Sequence, residues 1–217
     1  KTLCGKKPCP DAVSLAAKAP DAAIPAAASA QAQKWATSWI ASVQGPYPVG
    51  NPSAQPNMTF AFPKPEAGAN DQTFRLIVMP EICGARTRLR FSNALGTKPV
   101  TFDGVHVGLQ LGSATIVSGT NRPVSFGGTP RVTIQPGEHV WSDAVALPFV
   151  RGGAKELAGR KLAVSFHVVG ESGPMTWHAK ALTSSYVSAP DAGPLGGDEG
   201  EGAFPFSTTS WYFLDEL

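Results

Sequence analysis

The residues of this 217-residue chain best suited to general base chemistry are its four histidines, His106, His139, His167 and His178. A Ser-His-Asp hydrolase needs one of them beside a serine nucleophile and a carboxylate. Ser142 and Asp143 adjoin one another, and His178, in "TWHAKALTSSYVS", has Ser184 and Ser185 a few positions away. His178 is therefore the leading candidate base. No serine sits in G-x-S-x-G or in Gly-Asp-Ser-Leu, the settings that expose and activate a nucleophile. Strand histidines usually hydrogen-bond structurally, so the motifs assign no catalytic residue, and the substrate-binding residues are unknown.

Other chemistries find less support. Glu81, Asp103, Asp143 and Glu171 are well separated, and nothing marks two of them as a glycosidase pair. "FGGTP" at 126–130 is a glycine turn; a phosphate cradle would be followed by Lys-Ser/Thr and a helix start. Asn57-Met58-Thr59 matches a glycosylation acceptor, a short match that often arises by chance. Cys4 and Cys9 enclose a Gly/Lys/Pro loop and can close a disulfide ring in an oxidising compartment. With no His or further Cys nearby they make a poor zinc site, and neither a metal nor a cofactor is expected. Cys83, just before Gly84, reads as a small buried apolar residue. Trp141, Trp177, Tyr186, Trp211 and Tyr212 could stack on sugar rings if several shared one exposed face, the arrangement of a carbohydrate-binding module.

These side chains must be positioned by strands. The chain has 23 Gly and 20 Pro, and only 16% of its residues are charged, which favours short elements and many turns. A formal charge of +2 from scattered basic residues gives no nucleic-acid footprint. No apolar run approaches the roughly 20 residues of a membrane-spanning helix. The start "KTLCGKKPCPD", without Met and followed by an Ala/Pro-rich stretch, fits a mature N-terminus after removal of a signal peptide. Residues 1–34 then form an irregular leader, and 35–217 the folded domain.

Within that domain, "SAQAQKWATSWIASV" fits a helical face through Trp35, Trp39 and Val43, and equally fits a strand. "QGPYPVGNPSAQP" is too rich in Pro and Gly for either and reads as a loop. From residue 72 a period of two takes over. "TFRLIVM" puts Phe74, Leu76 and Val78 on one face, and "KPVTFDGVHVGLQ" shifts register at Asp103-Gly104, as a bulge would. "RKLAVSFHVV" turns Leu162, Val164, Phe166 and Val168 inward, with Lys161, Ser165 and His167 outward. Ten to twelve such strands predict an all-β fold, two packed antiparallel sheets in a β-sandwich.

Taken in order, "WATSWIASV", "TFRLIVMPEICGARTRLRFSNALGTKPVTFDGVHVG", "PVSFGGTPRVTIQPGEHVWSDAV", "LAVSFHV", "TWHAKALTSSYVS" and "SWYFLDEL" resemble the amino-terminal part of bacterial secreted two-domain SGNH (GDSL-type) hydrolases. The resemblance covers most of the chain from Trp35 onward. Its most specific parts are "RLRFSNALG" with the following "GVHVG", the block from "FGG" to "SD", and the block around His178. It implies a jelly-roll-like β-sandwich, a secreted or periplasmic bacterial protein, and a downstream α/β esterase domain whose catalytic serine follows the run similar to "SWYFL". None of that family's catalytic residues falls on this sequence, and "PEICG" and the Cys4/Cys9 leader have no match in its pattern.

The expected function is accordingly an accessory domain of an ester hydrolase acting on acyl esters, of carbohydrate or lipid, with the hydrolase domain as its partner. Trp211, Tyr212, Phe213 and Leu214 are the expected interface, two facing inward and two outward by strand alternation. The rival functions are an autonomous carbohydrate-binding module and a small serine hydrolase using His178.

Overall fold

Short apolar runs bounded by Gly, Pro, Asn and Asp close into strands, because each run has one face to bury and a turn former at each end. The computed structural model describes residues 34–49, 57–82, 84–151 and 157–217. Residues 36–217 cluster as one unit. The predicted Cys4–Cys9 ring, Cys83 and all but the last residue of the 1–34 leader lie outside the described residues.

In chain order the strands are β1 (Gln44–Tyr47), β2 (Asn70–Val78), β3 (Arg86–Thr87), β4 (Arg90–Ser92), β5 (Val100–Gly112) and β6 (Thr115–Ile116). Next come β7 (Arg122–Pro123), β8 (Val132–Ile134), β9 (His139–Trp141), β10 (Val145–Ala146) and β11 (Leu162–Glu171). The last are β12 (Met175–His178), β13 (Ser185–Val187), β14 (Phe206–Thr208), β15 (Trp211–Tyr212) and β16 (Leu214–Glu216). Helix among the described residues is limited to one 3-10 turn, Pro65–Ala67.

The main sheet runs β14-β13-β2-β11-β5-β6, with β7 and β8 also pairing with β5. Two three-stranded sheets, β1-β12-β15 and β16-β4-β9, accompany it, with the small pair β10-β3. The pairings are antiparallel, and the fold is all-β and sandwich-like as predicted.

Rings from both layers meet in the core. Phe74 of β2 stacks on Phe166 of β11 at 5.3 Å. Phe91 of β4 closes on Phe166 at 5.1 Å and on Phe102 of β5 at 5.2 Å. Tyr212 reaches Phe74 at 5.3 Å, and Phe213 reaches Phe102 at 5.1 Å. Each such ring pair adds about 0.5–1.5 kcal/mol beyond the area it buries.

Three local readings are corrected. The stretch predicted as a loop after residue 43 contains β1, which pairs with β12 through a register shift between Gln44 and Pro46; a proline is tolerated at such an irregular edge. Residues 34–43 form no helix and no strand beyond one bridge from Ile40 to Glu216. Ser165 and His167, expected outward, are buried. The residues after Pro190 pass back over that face of the sheet, so both faces of β2 and β11 are covered.

The terminal aromatic run is corrected too. Tyr212, Phe213 and Leu214 are all buried within this unit, and only Trp211 is half-buried. Phe213 takes φ 60°, in the left-handed region, between β15 and β16. This interrupts the alternation and turns successive side chains into the core. These three residues therefore serve the core and do not present two outward faces to a partner.

Candidate functional site

On the face of the main sheet away from the aromatic core, three central strands present a patch of polar side chains. The ladder registers β11 against β2 and β5, so Arg75, Ser165 and His106 form one row and Thr73, His167 and Asp103 the next. His167 sits between two carboxylates, with Nδ1 at 2.6 Å from Asp103 and Nε2 at 3.1 Å from Asp71. The carboxylates approach opposite edges of the ring. They therefore orient it and do not converge on a shared point, and no metal-holding cluster occurs among the described residues.

Arg75, fully buried, is the centre of this face. Its Nε donates to Ser165 Oγ at 2.8 Å, and Nη1 donates to the Ala114 carbonyl at 2.6 Å and the Gly200 carbonyl at 3.0 Å. Nη2 donates to the Asp198 carbonyl, and the guanidinium lies 4.0 Å over the Phe204 ring. Burial lowers its pKa to about 10, opposed by the nearby Asp198 charge. The planar fork satisfies several backbone acceptors at once, which a lysine ammonium does not.

Residues 190–204 cross this face as a strap. Thr73 Oγ1 donates to the Gly193 carbonyl at 2.7 Å and accepts from Leu195 N. Asn70 donates to Asp191 at 2.9 Å, and Asn121 to the Gly196 carbonyl at 3.0 Å. A side chain at Gly196 would collide with the Gly104 carbonyl, so the close crossing requires glycine there. Gly104 itself has φ 54° and sits where β5 slips register against β11, the bulge predicted at Asp103-Gly104.

Two half-buried carboxylates act as clips on neighbouring turns. Asp143 accepts from Gly128 N at 2.8 Å, Ser125 Oγ at 2.7 Å and Gly127 N at 3.0 Å. These hydrogen bonds, Gly128 first, hold its pKa below the ordinary carboxylate value. The "FGGTP" turn therefore does bind an anion through its amides, but the anion is the chain's own. Glu199, on the strap, is lowered likewise by the Ser118 hydroxyl and the Gly119 amide.

The candidate catalytic group is not assembled among the described residues. His178 Nδ1 lies 2.6 Å from the Ser42 carbonyl, and its ring stacks on Trp211 at 5.3 Å. Ser185, buried, accepts from Ile77 N at 3.0 Å, a structural bond, while Ser184 is exposed. Glu171 pairs with Lys98 at 3.8 Å, far from the Asp103–His167 contact in role. Asn57 Oδ1 accepts from Thr59 N and Oγ1 in a local turn. The sugar-stacking candidates do not share an exposed face: Trp177 and Tyr212 are buried, Tyr186 and Trp211 half-buried, and Trp141 exposed above Arg90.

A second feature is apolar. Glu81 N donates to the Ser38 carbonyl, Trp39 meets Trp211 edge-to-face at 4.7 Å, and Trp211 Nε1 donates to the Ile77 carbonyl. Ala181 N donates to the Thr209 carbonyl. Four distant segments, 38–43, 77–82, 178–182 and 209–211, thus converge at one end of the sheet. They carry the exposed side chains of Ile40, Val43, Met79, Ile82 and Leu182. These are five of the nine large exposed apolar residues among those described from Ala36 onward.

Arg75 and Asp71 were not identified from the sequence. The available signal was a lone arginine inside the apolar run "TFRLIVM", which a strand covered on both faces admits only with partners for its charge. Fold and surface together define an all-β sandwich-like protein with a strapped polar face and an open apolar end. No protein-family model matches the chain, and no curated protein matches it. No helix among the described residues is long and apolar enough to cross a membrane.

Proposed function

We propose that this chain is the non-catalytic β-sandwich of an exported bacterial SGNH (GDSL-type) ester hydrolase, an interaction module that packs against the α/β hydrolase domain and flanks its acyl-ester cleft. One observation supports the reading most. "WATSWIASV", "TFRLIVMPE", "HAKAL" and "SWYFL", segments of four of the blocks that resemble this family, meet on the apolar end face, although they lie up to about 170 positions apart in the chain. These segments carry Ile40, Met79, Ile82 and Leu182 with exposed side chains, which the folding of this domain alone does not require.

On this reading the burial of the 212–214 run is the inner support of the contact surface, with Trp211 and Trp39 as its floor. The strapped polar face stiffens the sheet behind it. Intramolecular domain contacts of this kind bury roughly 600–1,500 Å² and leave the separated parts folded. The test is the coding sequence beyond the Leu217 codon. A Gly-Asp-Ser block within the next few dozen codons is expected, and an open reading frame without one, or none at all, contradicts the reading.

A further inference from the structure

His167 is buried, and the two carboxylates that flank it are half-buried. An ionised carboxylate offers only acceptors, whereas a neutral imidazole has one N–H and one lone pair. A neutral ring can therefore bond one of the two carboxylates and must turn its lone pair on the other. With Nδ1 at 2.6 Å from Asp103 and Nε2 at 3.1 Å from Asp71, both contacts are hydrogen bonds only when the ring carries two protons. Each is then charge-assisted. The other charged groups nearby are engaged elsewhere. Arg75, in the adjoining row, directs its guanidinium to Ser165 and to backbone carbonyls. His106 of β5 turns Nδ1 to the Gly104 carbonyl, and Glu171 at the end of β11 pairs with Lys98. On the strap, Asp191 accepts from Asn70 and Asp198 from Gly200 N, while Gly193 to Leu195 carry no charge.

Asp71 couples the ring to the strap. Its carboxylate meets His167 and, at a long 3.5 Å, Gly170 N. Its main-chain carbonyl accepts from Gly193 N at 3.1 Å, and the carbonyl of the preceding Asn70 accepts from Asp191 N at 3.0 Å. The entry of the strap is thus hydrogen-bonded to the residue whose side chain the ring holds. The rest of the strap has other anchors: Thr73 for Gly193 and Leu195, Asn121 for Gly196, and Arg75 for Asp198 and Gly200.

We propose that Asp71, His167 and Asp103 form a pH-sensitive latch that holds the entry of the strap, residues 190–193, against the sheet. Loss of the second ring proton leaves one nitrogen lone pair facing a carboxylate. Asp103 makes the shorter contact, so Nδ1 keeps its proton and Nε2 is the nitrogen that gives one up. The Asp71 contact then turns repulsive, and Asp71 moves with the carbonyl that Gly193 uses. The latch contributes while the ring is doubly protonated and the carboxylates are ionised, so its contribution is lost as pH rises through the titration of the ring. Protonation of a histidine that biases a two-state element is a recurring form of switch.

The test is heteronuclear NMR of the full chain from about pH 5 upward through the titration of the ring. At the acid end both nitrogens of His167 should carry protons. As pH rises Nε2 should lose its proton while Nδ1 keeps its own, and the Gly193 amide resonance should move with the same midpoint. Exchange protection at Gly193, corrected for the intrinsic pH dependence of exchange, should fall about tenfold or more, as expected from losing one hydrogen bond to a charged group. The Gly200 amide, on the part of the strap that Arg75 holds, should not respond. Asp71→Asn should abolish the Gly193 response while the ring still titrates against Asp103, and His167→Gln should make Gly193 insensitive over the same range. A ring with only one protonated nitrogen at the acid end overturns the latch. So does a Gly193 amide that stays fixed in wild type while the ring titrates, a result that needs neither variant to fold.

Discussion

Replacing Arg75 with Met keeps most of the volume of the stem and removes the guanidinium that ties strap to sheet. Four hydrogen bonds are lost, to Ser165 Oγ and to the carbonyls of Ala114, Asp198 and Gly200, together with the stack on Phe204. Hydrogen bonds to a charged group contribute about 1.5–3 kcal/mol each. Against them stands the cost of holding a cation out of water, several kcal/mol, which the methionine no longer bears. The balance is a loss of about 3–5 kcal/mol, in line with breaking other buried charged networks. For a chain of this size that lowers Tm by roughly 6–20 °C. Thermal melts followed by near-UV circular dichroism measure the loss, and limited proteolysis reports cleavage within 190–204. Arg75→Lys restores the charge but not the fork and falls between. A loss under about 1 kcal/mol, with the strap still resistant to protease, would refute the assignment of Arg75 as its anchor.

Asp143→Asn tests the carboxylate clip. The carboxylate is held below its unfolded pKa, so its contribution is present above the ordinary carboxylate range and is lost as pH falls through the folded value. The wild type should therefore lose stability on acidification below about pH 4 more steeply than Asp143→Asn, as read from urea midpoints across pH 2–7; parallel curves would contradict this. Arg90 holds Asp215 by two bonds at 2.7 and 3.1 Å and also meets Glu216, so Arg90→Gln should cost about 1–3 kcal/mol and speed amide exchange in β16 and β4. Phe166→Ala, at the centre of the ring cluster, should cost about 3–5 kcal/mol in denaturant unfolding. The isolated chain should not hydrolyse a short activated ester above the buffer rate. Turnover abolished by His178→Ala or Ser184→Ala would restore the small-hydrolase reading.

The strands from residue 72 onward were legible because alternation and turn residues agree in "RLRFSN", "TFDGVHVG" and "KLAVSFHVV". The bulge at Gly104 was legible for the same reason, as a one-residue slip in the apolar period. Alternation also misled. It places Ser165 and His167 outward on any strand that has one solvent face, and only the return of 190–204 across the sheet makes that face interior. A Gly-rich acidic loop gives no local sign of where it lies, since its ties are to Arg75, Thr73 and Asn121, from about 70 to 125 positions away. β1 was hidden by Gly45 and Pro46, whose local preferences are overridden by pairing with β12. Phe213 shows the same limit: a phenylalanine with positive φ is not foreseeable from sequence, yet it decides which way the last aromatic residues point.

The proposed contact between the apolar end face and a hydrolase domain predicts which backbone segments become covered. Hydrogen–deuterium exchange of the chain, alone and mixed with that domain, tests it most directly, because protection reports which backbone segments become covered. Slowed exchange confined to 38–43, 77–82, 178–182 and 209–211, with 190–204 unchanged, is the predicted footprint. Protection falling on the strap or on the turns at 118–121 and 125–128 instead, or no protection at a domain concentration of about 100 μM, would contradict it.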